Sequence, residues 1–142
     1  MKKLLFVVVF ALFGFAPALA QQNPQGPTQP LSIVSADTPE EAALGLMYRA
    51  SMPRDHGMIF RFNQPTATGM WMKNCLFPQD MLFLDRDGTV LAVAENARPG
   101  SLRTITPGFP YWSVLELNGG VAQELGLKPG DKVRHSIFGN AG

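Results

Sequence analysis

From Gly57 onward the apolar residues come in short β-branched or aromatic runs cut by Gly, Pro, Asn and Asp. That is the pattern of an antiparallel all-β domain. It predicts strands at Met58–Phe62, Thr68–Lys73, Met81–Leu84, Thr89–Glu95 and Trp112–Leu117, and a last one near Lys132–Phe138. An earlier short strand is expected at Leu31–Val34. Between Leu84 and Thr89, Asp85-Arg86-Asp87-Gly88 reads as a tight turn whose glycine can take positive φ, so the flanking strands should form a hairpin. Upstream, Thr38-Pro39-Glu40-Glu41 is a capping box with proline at the first helical position. It should start a helix running to about Tyr48, with Ala43, Leu44, Leu46 and Met47 on a buried face. A helical turn from Val121 to Leu125 should stop at Gly126, where a left-handed cap suits glycine. The fold class expected is therefore mostly β, a compact antiparallel β-sandwich or barrel-like domain with one or two short helices.

The first thirty residues follow another pattern. Lys2 and Lys3 precede an uncharged apolar stretch, and Pro17-Ala18-Leu19-Ala20 then supplies a small-x-small cleavage site. Residues 1–20 read as a secretory signal peptide, because the run is shorter than the roughly 20 apolar residues a membrane-spanning helix needs. Gln21 to Pro30 has three prolines and no apolar period, so 21–30 reads as a disordered linker. One β-rich domain is expected over residues 31–139, periplasmic or secreted once the leader is removed, without stable membrane insertion.

Charge narrows the partners. Of the 12 Lys and Arg two lie in the leader, so 10 face 11 Asp and Glu in the mature chain, a net charge of −1. Nucleic acid is not expected, since it needs clustered Lys and Arg to replace counterions. A lone Cys75 cannot close a disulfide within the chain. Stability is left to a core supplied by ten Phe, seven Met and many Val and Leu.

Leu82 to Val90, LFLDRDGTV, matches the opening motif of haloacid dehalogenase-type phosphatases, in which one aspartate attacks phosphorus and the second handles the leaving-group proton. That chemistry requires a strand followed by a helix and later lysine and acidic partners. Here the next segment, Thr89 to Val93, is itself strand-like, so Asp85 and Asp87 read as turn residues.

A further set of segments, taken together, resembles the family called domain of unknown function 192. These are Gly45-Leu46-Met47-Tyr48-Arg49, Gly57-Met58-Ile59-Phe60 with Phe62, and Trp71-Met72-Lys73-Asn74. Asp80-Met81 and Phe83 follow, then Asp87-Gly88-x-Val90, Val114-Leu115-Glu116-Leu117-x-Gly119-Gly120 and Leu125-Gly126-Leu127-x-x-Gly130-Asp131. The resemblance implies a compact, mostly β fold with one or two helices, no established activity, and a hairpin turn at Asp87-Gly88. The chain departs from it at Cys75, where the family usually has Thr or another small residue, and at Gln79, where it has an aliphatic one.

Candidate chemistry gathers at Trp71-Met72-Lys73-Asn74. An indole beside an ammonium, followed by an amide and the carboxylate of Asp80, suits a small polar ligand held by stacking and oriented by hydrogen bonds. The candidate ligand-binding residues are Trp71, Lys73, Asn74, Asp80, Arg49 and Glu116. Each also has a purely structural reading, as core, turn former, ion pair or solvated charge. No catalytic residue, cofactor or metal is assigned. The expected role is a small-ligand-binding or accessory module acting on an unknown small polar ligand or an envelope protein. The alternatives are a hydrolase using carboxylates, including the Asp85/Asp87 phosphatase, and a Cu(I)- or Ag(I)-binding protein using soft ligands among Met70, Trp71, Met72, His56, Met58 and Cys75.

Overall fold

The computed structural model of the protein describes residues 30–141. Residues 1–20, expected as a signal peptide, and all but the last residue of the expected linker lie outside them. Strand β1 is Ser32–Ser35, helix α1 is Pro39–Leu44, and strands β2, β3, β4 and β5 are His56–Thr66, Gln79–Leu84, Val90–Ala97 and Tyr111–Asn118. Helix α2, Val121–Glu124, and a 3-10 turn at Ser136–Phe138 complete the chain.

The mostly β expectation holds, in the form of one five-stranded sheet ordered β1-β2-β5-β3-β4 that does not close into a barrel. The pairs β2–β5, β5–β3 and β3–β4 are antiparallel, but β1 lies parallel to β2, with Ser32 opposite His56. A parallel pair needs a long crossover, which α1 and the loop after it supply. Strand β3 is buried at all six positions, as befits a strand covered on both faces. One face packs Ile59, Leu82, Leu84, Leu115 and Leu117 against Val121 and Ala122 of α2. The other carries Met81, Phe83 and Val114 under Met72, Cys75 and Tyr111, beside Met58 and Phe60 under Leu46, Met52 and Phe77.

Local chemistry behaves as the sequence implies at two places. Thr38 Oγ1 accepts from the Glu41 N–H at 3.1 Å while Glu41 Oε2 accepts from the Thr38 N–H at 3.0 Å, closing the capping box. Strands β3 and β4 form the hairpin, with the Asp85 N–H donating to the Thr89 carbonyl at 2.8 Å and Gly88 at φ 87°. Asp87 is held by Lys132 and by the Thr89 hydroxyl and N–H, which together lower its pKa well below the usual carboxylate range. A β-hairpin has no strand-to-helix crossover, so Asp85 and Asp87 do not stand at the carboxyl edge of a parallel sheet.

Three expected elements are corrected. Helix α1 stops at Leu44 rather than Tyr48, because Gly45 turns to φ 52° and lets Phe60 come close, and Tyr48 is itself at φ 64°. None of the helix residues is buried, and of the predicted apolar face only Leu46 is fully enclosed, with Met47 packed at the edge of the core. Thr68–Lys73 is not a strand. It makes a single bridge, Met70 to Ile105, and then turns at Lys73-Asn74. Its backbone is bonded instead to the loop after β4, through Met72 N–H to the Ser101 carbonyl and Gly100 N–H to the Met72 carbonyl, each 3.0 Å. Lys132–Phe138 is likewise only a bridge, Thr89 to Lys132, followed by the 3-10 turn. Asn140 takes up groups a strand would have paired, bonding the Val133 and Asp87 carbonyls and the His135 N–H.

Candidate functional site

Strand β5 places Glu116 between Met58 of β2 and Met81 of β3. Side chains alternate across a strand, so Glu116 shares the face of Val114 and points into the layer formed by the α1–β2 and β2–β3 connections. Glu116 is 4 % exposed. Among the described residues its carboxyl makes no hydrogen bond and no ion pair, and burial pushes its pKa up to about 8. An acid in that setting is mostly protonated at neutral pH, since desolvation disfavours the charged form.

Beside it lie two more polar groups, Gln79 at the start of β3 and Cys75 in the connection that precedes it. Cys75 is buried, and its thiol pKa is raised first by burial and then by the charge of Glu116, with the nearby Gln79 amide pulling weakly the other way. Gln79 is fully buried, and among the described residues neither atom of its amide makes a well-formed hydrogen bond, its contact with the Cys75 thiol apart. Buried polar atoms without partners are uncommon in folded proteins and call for an explanation.

Over this floor lies a hollow of about 50 Å³ lined by Glu116, Cys75 and Phe60 below and by Leu44, Met47, Met70 and Trp71 toward solvent. Its rim is apolar and open: Leu44 is 51 % and Trp71 47 % exposed. Asn74 ties the two loops that form the walls. Its carbonyl accepts from the Tyr48 N–H, and its Nδ2 donates to the Tyr48 hydroxyl, each at 2.8 Å, with Met47 Sδ at 4.0 Å. Asn74 adopts φ 59° to do so, a conformation that Asn tolerates better than most residues.

The predicted site residues therefore separate. Trp71 and Glu116 line the hollow. Lys73 lies at its edge, exposed, with Nζ 5.1 Å from the centre of the Trp71 ring, and Asn74 braces the wall. Arg49 is exposed and is not among the lining residues. Asp80 points to the opposite face of the sheet. It is fully buried, and its two oxygens accept from the Asn96 and Ala122 N–H groups, both at 2.8 Å, pinning the end of β4 and the start of α2. Asp80 and Glu116 consequently do not face each other across a cleft, which removes the geometry a paired-carboxylate hydrolase requires.

Sequence reasoning passed over Met47, Gln79, Leu44 and Phe60. The signal available was the unusual pair of Cys75 and Gln79 at positions where the resembled family is small or aliphatic. Among the described residues no three His, Cys, Asp or Glu side chains gather to hold a metal ion. Nor is any helix among them long and apolar enough to cross a membrane.

The profile of the family DUF192, described as Uncharacterized ACR, matches residues 20–135. The chain belongs to the DUF192 family. No curated protein matches it. Two solved structures are similar. One, from Sinorhizobium meliloti 1021, is described as a putative transcription regulator; it is 42% identical, with a TM-score of 0.77 over 80% of this chain and 88% of that one. The other is a protein of unknown function from Novosphingobium aromaticivorans DSM 12444, 40% identical, with a TM-score of 0.70 over 74% of this chain and 75% of that one. The two structures share the fold of this chain, and the chemistry is left to be read from the hollow.

Proposed function

We propose that this DUF192 protein is an extracytoplasmic small-ligand-binding module whose site is the hollow above Glu116. One observation carries the reading: a buried carboxyl with no partner among the described residues opens onto a recess whose mouth is an exposed indole and leucine. Apolar walls with few, directed polar groups are the usual lining of ligand pockets, and at about 50 Å³ this one admits only a very small ligand or a single side-group of a larger one. Leaving such a carboxyl unpaired costs stability, a penalty that a ligand supplying its missing partner would remove.

The polar set differs from that expected of the sequence. Glu116 and Trp71 are the contacts proposed, with Lys73 and Asn74 at the edge; Asp80 and Arg49 are left out. The role named in the description of the Sinorhizobium relative, transcription regulation, is not proposed for this chain, whose residues after the expected leader carry 10 Lys and Arg against 11 Asp and Glu, no excess of the positive charge that nucleic acid attracts.

The test is thermal unfolding of the purified protein against sugars, short peptides, amines and metal salts. At least one compound is expected to raise Tm by mass action, since ligand at about 100 times its Kd adds about 2.7 kcal/mol. Ala43→Phe, which places a ring among the lining residues, is expected to abolish that rise while the free protein stays folded. A flat response across the whole panel would refute the reading. Export is tested separately by N-terminal sequencing of the protein from the cell envelope, which is expected to begin at Gln21.

A further inference from the structure

We infer that the hollow is a site for a soft monovalent metal ion, Cu(I) or Ag(I), held by Cys75, Met47 and Met70. The inference rests on the ligand-site reading above and names the ligand's class.

Three sulfur-bearing side chains from two separate connections line one small recess: Met47 after α1, and Met70 and Cys75 between β2 and β3. Two more thioethers, Met72 and Met81, are buried in the same cluster as Cys75. Thiolate and thioether donors select Cu(I) and related soft ions, whereas Mg²⁺ and Ca²⁺ take oxygen ligands. The described residues offer no His, Cys, Asp or Glu cluster for those harder ions or for zinc. Three sulfur donors are also a set that Cu(I) accepts without help from water.

A second observation points to a cation independently of the sulfurs. Glu116, a residue 4 % exposed whose carboxyl has no hydrogen-bond or ion-pair partner among the described residues, borders the same recess. A positive ion is the class of ligand that a partnerless buried carboxyl lacks, and a buried charge is tolerated when paired. Trp71 at the mouth adds an aromatic face that already attracts a cation, the Lys73 ammonium 5.1 Å from its centre.

Binding is a ligand exchange without redox change. The metal arrives as Cu(I) or Ag(I), a bond forms to Cys75 Sγ, the thiol proton leaves to solvent, and the Met47 and Met70 sulfurs donate lone pairs. Uptake of the metal releases the thiol proton, so binding strengthens as pH rises.

Metal-free protein is to be mixed with Cu(I) held by bicinchoninate, and the loss of the coloured chelate followed. One equivalent is expected to transfer. Cys75→Ser is expected to weaken binding by about 100-fold or more, since even outer-shell partners of a metal site are worth 10–100-fold. The double variant Met47→Leu with Met70→Leu conserves volume and keeps the thiol; it is expected to lose at least about tenfold while its circular dichroism stays unchanged. Absence of transfer overturns the inference, and so does equal transfer to the double variant, which would mean capture by the thiol alone. If an organic compound raises Tm and Ala43→Phe abolishes this, while copper stays on the chelator, the metal inference falls and the binding site stands. If neither metal nor organic compound binds, both fall.

Discussion

Replacing Glu116 by glutamine in the metal-free protein keeps the shape of the side chain and removes the carboxyl buried beneath the hollow. In the folded protein burial raises this carboxyl from 4.5 to about 8. The unfolded chain therefore gives up its proton first as pH rises, and the folded state binds more protons between those two values. Stability that is fully present below about 4.5 is accordingly lost as pH climbs toward 8 and stays lost above it. At about 1.4 kcal/mol per pKa unit the whole interval is worth roughly 5 kcal/mol, an upper figure that is comparable with the total stability of many domains. The amide in Glu116→Gln has no proton to lose, so the variant should match the parent near pH 5 and exceed it by several kcal/mol near pH 8.5. Urea unfolding of both proteins from about pH 5 to 8.5, with a chelator present, measures the difference and cancels the other titrating groups they share. Two parallel stability curves would refute the argument, because they would show that Glu116 is solvated or paired in solution.

Asp80→Asn should destabilise the protein by about 3 kcal/mol in urea unfolding, since one of the two N–H groups now bonded to Asp80 would face an amide donor; a loss below about 1 kcal/mol would show that the carboxylate is not structural. Gly88→Ala should cost about 2 kcal/mol or more, because a Cβ there lies 2.4 Å from the Val133 carbonyl oxygen at φ 87°. An unchanged Tm would place the hairpin turn elsewhere.

The sequence by itself determined what is local. Thr38 and Glu41 are three residues apart and close their capping box whatever surrounds them, and Asp85 to Gly88 reverses the chain with its own hydrogen bonds. The β-rich character was legible for the same reason, since short β-branched and aromatic runs cut by Gly, Pro, Asn and Asp need no knowledge of the partner strand. Tertiary structure decided the rest. Whether Asp80 and Glu116 share a face depends on the register of β3 against β5, where a slip of one residue exchanges the faces, and the observed pairing of Asp80 with Leu117 sets them apart. The Thr68–Lys73 run has the composition of a strand but no sheet neighbour, because the loop after β4 captures its backbone at Met70 and Met72. Met47, Met70 and Cys75 border one hollow only because two connections, distant in sequence, are laid over the same face of the sheet. Packing between remote segments is a property of the assembled chain, and no local pattern of residues encodes it.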